Sequence, residues 1–311
     1  MSQITNTILM IRPVNFRMND QTAVNNYYQK NLSNMLPATI QAKALEEFNG
    51  LVSKLRTEGV NVIVVEDTPE PNTPDSIFPN NWISFHADGT VGLYPMFAEN
   101  RRDERREDVL NVLESNGFDI NDVIDYSSAE EEEIFLEGTG SLLLDRENKI
   151  AYCALSQRAD EDLVIEFCED FEYTPVLFTA NQSVNGERLA IYHTNVMMAL
   201  GEAFAVVCLA SIDDKKERKQ LVKQLKTSGK EIVNISEAQV ENFAGNMLQV
   251  FGANNQRFTV MSAAADACLT KDQRAVIEKT SKIVSSSLST IETCGGGSAR
   301  CMMAEVFLPN V

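Results

Sequence analysis

Cys301 stands in Gly295-Gly296-Gly297-Ser298-Ala299-Arg300-Cys301-Met302-Met303. Three glycines ahead of a thiol let backbone approach a ligand closely. The neighbouring arginine favours the thiolate, which is the nucleophilic form of cysteine. The chain has two histidines. One of them, His193, lies in a polar-flanked, strand-like segment, Ile191-Tyr192-His193-Thr194-Asn195. A cysteine and a histidine far apart in sequence are a candidate nucleophile and proton-transfer partner if the fold brings them together. The alternative is that a cysteine near a glycine run is only structural. Cys294, in the same segment, is the one rival nucleophile. His86 follows Phe85 at a hairpin turn and is expected at the surface.

These residues need a fold that gathers them. The chain has 311 residues, 44% hydrophobic and 23% charged, which suits a soluble globular protein of one large domain or two ordinary ones. Its formal net charge of −18 repels phosphate backbones and anionic membrane surfaces, and favours a cationic or zwitterionic small molecule. No nucleic-acid or membrane partner is expected. The oligomeric state stays open, a homo-oligomer included. The six cysteines show no C-x2-C spacing, and with two histidines a Cys/His zinc site is not expected. No metal or cofactor is implied. There is no signal-peptide pattern and no apolar run near the ~18 residues of a membrane span, so a cytoplasmic protein with reduced thiols is expected.

A unit recurs five times. A small or polar opening leads into an apolar strand, a turn and a second apolar strand. The copies are Phe78–Phe85 with Val91–Tyr94, Leu136–Leu144 with Ile150–Cys153, Tyr192–Met198 with Phe204–Cys208, Phe243–Val250 with Phe258–Val260, and Gly297–Met303 running into Val306–Leu308. Anchored on Asn81, Gly140, Asn195, Asn246 and Arg300, the steps are 59, 55, 51 and 54 residues. Helices are predicted between the hairpins over Arg101–Asn116, Ala159–Phe171, Asp213–Ser228 and Lys271–Ser285. Another spans Thr39–Glu58 and leads into a strand at Asn61–Val65. Each unit reads strand, strand, helix, strand. Five such α/β units would close a pseudo-symmetric ring, as blades close a propeller. The alternative is an ordinary α/β sheet whose hairpins look alike. In the ring, Glu137, His193 and Cys301 occupy similar places in different units and would meet at one pocket. No linker or low-complexity tract splits the chain, so residues 1–311 read as a single catalytic domain.

The chain resembles the arginine deiminase and amidinotransferase superfamily, whose fold is the five-bladed α/β propeller called the pentein fold. The resemblance rests on Pro74-Asp75-Ser76-Ile77-Phe78, Phe135-Leu136-Glu137-Gly138, Tyr192-His193-Thr194-Asn195 and the terminal Gly295–Met302, in that order and spacing. Pro74–Phe78 is similar to dimethylarginine dimethylaminohydrolases. Met10-Ile11-Arg12-Pro13 with Thr22–Tyr27 is similar to a bacterial citrulline-utilisation subgroup. The resemblance implies that Cys301 attacks the central carbon of a guanidinium or ureido group and that His193 protonates the departing nitrogen, then activates water. It also implies that Glu137 holds substrate nitrogens and supports His193, that Asp75 binds a substrate nitrogen, and that Arg300 meets a substrate carboxylate. Typical arginine deiminases carry aspartates where this chain has Asn81 and Asn195. An amide donates as well as accepts, which suits a neutral ureido group better than a guanidinium. The expectation is therefore a hydrolase acting on citrulline or arginine. An amidinotransferase with the same residues, and a non-catalytic binding protein on the same fold, are the alternatives.

Overall fold

Strands in this chain are short, apolar runs bounded by turn residues. In the computed structural model, which describes residues 2–310, they assemble into five three-stranded sheets of one design. β1 (Thr7–Arg12), the helix α1 (Pro37–Thr57) and β2 (Asn61–Glu66) open the chain. β3 (Ile83–Phe85), β4 (Thr90–Leu93), α2 (Glu107–Ser115) and β5 (Asp122–Asp125) follow. Then come β6 (Leu142–Asp145), β7 (Ile150–Ala154), α3 (Glu161–Asp170) and β8 (Thr174–Phe178). A hairpin of β9 (Asn181–Val184) and β10 (Glu187–Ala190) stands outside the repeat. After it lie β11 (Met198–Leu200), β12 (Phe204–Val207), α4 (Lys215–Thr227) and β13 (Glu231–Asn234). The last unit holds β14 (Leu248–Phe251), β15 (Arg257–Ser262), α5 (Lys271–Glu278) and β16 (Lys282–Ser286). The helix α6 (Ser289–Gly295) and β17 (Ala304–Glu305) complete the chain.

In four of the five sheets the first strand pairs antiparallel with the second through a short connection. The second pairs parallel with the third across a helix, as parallel pairing requires a long crossover. Thus Ile83 faces Leu93 antiparallel and Val91 faces Val123 parallel. The same order holds for β6-β7-β8, β11-β12-β13 and β14-β15-β16. First strands of successive sheets touch: β6 lies against β11, β11 against β14, and β17 against β3.

The fifth unit differs from the sequence expectation. Val306–Leu308 forms no strand. Instead β17 pairs antiparallel with β1, Ile8 facing Glu305, so the N-terminal strand supplies the middle of the sheet that holds Cys301. Two predicted helices also end early. Lys282–Ser286 is a strand, because Ile283 and Val284 continue a β-branched run alongside β15. The stretch Arg101–Asn116 breaks between Arg102 and Glu107, and Arg101 turns inward.

The packing explains why the opening residues converge. Before each first strand the chain makes one tight turn. These turns are Pro79–Asn81, Gly138–Ser141, Thr194–Met197, Phe243–Asn246 (closed by Asn246 N–H to Phe243 O, 2.8 Å) and Ser298–Cys301 (closed by Cys301 N–H to Ser298 O, 3.1 Å). The methionines at or just after the ends of two of them, Met197, Met198, Met302 and Met303, are fully buried and anchor the turns in the core. His86 is buried as well, stacked on Phe171 at 4.0 Å and bonded to the Ser84 hydroxyl, so the surface expectation is corrected. No helix among the described residues is long and apolar enough to cross a membrane.

Candidate active site

Asp75, Asn81, Arg101, Arg158, His193 and Cys301 line one small cavity. Cys301 is carried by the Ser298–Cys301 turn and is 3% exposed. Amides surround its sulfur: Asn246 Nδ2 lies 3.2 Å from Sγ and Asn195 Nδ2 lies 3.5 Å from it. Cys294 does not line the cavity. It is buried in α6 among apolar side chains, and burial raises its thiol, with Glu47 adding to the shift.

His193 precedes the Thr194–Met197 turn. Its Nε2 donates to Glu137 Oε2 at 2.7 Å, and Glu137 Oε1 accepts the Phe97 N–H at 3.0 Å. The carboxylate is fully buried. Burial alone would raise it, but Arg158 at 3.4 Å, the His193 bond and Arg101 at 3.9 Å together hold it far below the usual carboxylate range. Burial moves His193 the other way, down to about 4, against the pull of Glu137. The ring is therefore neutral near pH 7, with its proton on Nε2 and its lone pair on Nδ1. Gly140 makes room for it. A Cβ there would sit 2.8 Å from His193 Nδ1 and 2.5 Å from Asn81 Nδ2.

Asp75 faces the cavity with one oxygen used and one free. Oδ2 accepts from Asn19 Nδ2 (2.8 Å) and the Thr22 hydroxyl (3.1 Å), while Oδ1 is buried without a partner. Burial raises its carboxyl, opposed by Arg101 and those two bonds. A buried acceptor without a donor is costly, which marks Oδ1 as a place for a ligand N–H.

The segment between β1 and α1 folds over the cavity through buried polar side chains. Arg158 donates to Asn25 Oδ1 and to the Thr22 carbonyl, and Asn26 and Gln29 bond the Gly295 carbonyl. Arg101 forks onto Glu104 (2.9 and 2.8 Å) and donates to Asn81 Oδ1 at 2.7 Å. Burial, working against Arg101, raises Glu104 to about 7.

The structure thus brings Cys301, His193, Glu137, Asp75, Asn81 and Asn195 together. It does not bring Arg300 to this cavity. Its guanidinium bonds Glu305 (2.7 Å) and the Met303 carbonyl (2.8 Å) instead. Sequence reasoning missed Arg101, Arg158 and Glu104, which no repeat position marks. It also passed over Asn246, although Asn246 anchors the fourth unit in the register that holds Asn195 and Arg300 in theirs. A wider groove of about 480 Å³, beside Tyr28, Phe243 and Glu292, holds neither Cys301 nor His193.

Five sheets of this design around such turns define an α/β protein of the pentein superfamily. Within it, the family described as N,N dimethylarginine dimethylhydrolase, eukaryotic, matches residues 12–308, and the chain belongs to that family. The family so described is one of hydrolases acting on carbon–nitrogen bonds. No curated protein matches this chain in sequence. Among solved structures it is similar to apo ArgZ, an arginine dihydrolase of cyanobacteria, with a TM-score of 0.73 and 19% identity over 98% of this chain and 41% of that one. AgrE, in a binary complex of a mutant with L-arginine, gives 0.73 and 19%, over 98% of this chain and 40% of that one. A mutant dimethylarginine dimethylaminohydrolase (DDAH) from Pseudomonas aeruginosa complexed with citrulline gives 0.65 and 14%, over 97% and 99%. The chain thus spans about two fifths of the full length of ArgZ and AgrE.

Proposed function

We propose that the protein is a cysteine hydrolase that cleaves a C–N bond in the side-chain ureido or guanidino group of an arginine-like amino acid, with citrulline favoured over arginine. The observation that carries the reading is the cavity itself. A thiol among amide donors, a neutral imidazole held by a buried carboxylate and an unpartnered carboxylate oxygen meet at one cavity. We place the five sheets as blades of a single closed ring, residues 1–311, with this cavity at its axis. The contacts between first strands of neighbouring sheets support that arrangement.

In the first half-reaction His193 Nδ1 takes the Cys301 proton and the sulfur forms a bond to the ureido or guanidino carbon. The tetrahedral adduct collapses as the terminal C–N bond breaks, and His193 returns the proton to the departing nitrogen, which leaves as ammonia. In the second half-reaction His193 takes a proton from water, the hydroxide attacks the same carbon, and the C–S bond breaks to restore the thiol. Citrulline would yield ornithine, carbon dioxide and ammonia; arginine would yield citrulline and ammonia. Asp75 Oδ1 accepts a substrate N–H. Arg158, on the cavity wall, takes the carboxylate-binding role that the family resemblance gave to Arg300.

The substrate preference rests on charge. Asn81 and Asn195 stand where arginine deiminases carry aspartates. Two guanidiniums, Arg101 and Arg158, line the cavity and are met by Glu104 and Glu137, which leaves Asp75 as the lining carboxylate for a substrate cation. A mutant DDAH of the same fold complexed with citrulline supports a cavity that accommodates a ureido group, and a mutant N-terminal domain of ArgZ covalently bound to a reaction intermediate supports the adduct. The test compares kcat/KM on citrulline and arginine by mass spectrometry of the amino-acid products, with no amine acceptor added. A higher value on arginine overturns the preference. Release of product only when an amine acceptor is present assigns the protein as an amidinotransferase.

A further inference from the structure

Asn246 is held more tightly than a structural amide needs. Phe243, three residues earlier, has a φ of 59°, a strained conformation for an aromatic residue, and its ring packs on Tyr28 at 5.8 Å. Gly245 lets the turn press against the neighbouring unit, since a Cβ there would lie 2.3 Å from the Val196 carbonyl. The Asn246 side chain is then fixed from both ends. Its Oδ1 accepts the Arg300 backbone N–H at 2.9 Å, which leaves Nδ2 as the donor end. One Nδ2 proton goes to the Asn195 carbonyl at 3.0 Å, and the other reaches Cys301 Sγ at 3.2 Å. The arginine beside the nucleophile, by contrast, turns its charge away to Glu305.

We propose that Asn246 is a catalytic residue. It donates a hydrogen bond to the Cys301 sulfur, favours the thiolate over the thiol, and aims the remaining sulfur lone pairs at the cavity. A thiol sulfur is a weak acceptor and a thiolate a strong one, so a fixed donor separates the two states. The role rests on the reading of Cys301 as nucleophile. It replaces the one that the sequence suggested for Arg300.

The test needs no substrate. Full-length protein is alkylated with iodoacetamide at pH 7, and the rate at Cys301 is followed by peptide mass spectrometry. Asn246→Ala is expected to react at least about tenfold more slowly than the parent, the factor that follows from losing one hydrogen bond to a charged group. Asn246→Asp, which places a charge where a donor stood, is expected to be slower still. Turnover of Asn246→Ala should show the loss in kcat with KM little changed. If the variants do not fold, side-chain NMR of ¹⁵N-asparagine-labelled parent protein replaces them. The Asn246 amide protons should shift when Cys301 is alkylated. An Asn246→Ala rate within about twofold of the parent, or unshifted Asn246 protons, overturns the proposal. A parent protein whose Cys301 does not alkylate overturns the nucleophile reading and this inference with it.

Discussion

Acid should switch the enzyme off far below the pH at which an ordinary histidine titrates. In the proposed mechanism His193 must be neutral to receive the Cys301 proton, and burial depresses it from 6.5 to about 4 even though Glu137 pulls the other way. That shift of roughly 2.5 units corresponds to about 3 kcal/mol held against protonation of the ring. The acid limb of kcat/KM, which reports the free enzyme, should therefore fall with a midpoint near 4. Unfolding free energy is a poor readout for the same group. A depressed base contributes stability that is present above about 6.5 and lost as pH falls through 4. Glu104, raised to about 7, contributes stability that is present below about 4.5 and lost as pH rises through 7. The two trends oppose each other over the same window, so initial rates isolate His193 where melting curves do not. The assay is the initial rate of ornithine or citrulline formation from pH 3.5 to 8 at substrate well below KM. A limb with its midpoint at 6 or above would refute the reasoning, because it would mean that His193 is as well solvated as a surface imidazole.

Other outcomes follow from the same geometry. Cys301→Ser should lose at least about a thousandfold in kcat and leave no covalent adduct by intact-protein mass, whereas Cys294→Ser, altered only in the apolar core, should keep turnover within a few fold. Gly140→Ala pushes a methyl into His193 and Asn81, and should cut kcat on the order of a hundredfold while the protein stays folded by circular dichroism. His86, driven well below its usual value by burial, with Arg146 and Lys149 adding to it, costs the folded state stability as pH falls below about 6.5. His86→Phe should therefore flatten the loss of urea-unfolding free energy between pH 6.5 and 4.5.

The repeat was legible because each unit spells its hairpin in apolar runs and turn residues, and those patterns are local. The convergence of Glu137, His193 and Cys301 followed from their equal place in different units. The closing strand was not legible. β17 has only two residues and owes its existence to β1, nearly three hundred positions earlier, so no local pattern announces it. The buried arginines were hidden for a related reason. Arg101 sits in a charged helical stretch that reads as solvated, and what draws it inward is Glu104 three residues on together with Asn81 across the fold. Arg158 lies between strand and helix with no register to mark it, and its partners Thr22 and Asn25 come from the segment before α1. Arg300 fails in the opposite direction. Adjacency to Cys301 in sequence placed its charge by the sulfur, but in the structure its guanidinium bonds the Met303 carbonyl instead. Glu305, two residues beyond Met303, captures the guanidinium. Position within a unit therefore carries more information about chemistry here than adjacency does. By that rule Asn246, in register with Asn195, is nearer to the reaction than the arginine that touches Cys301 along the chain.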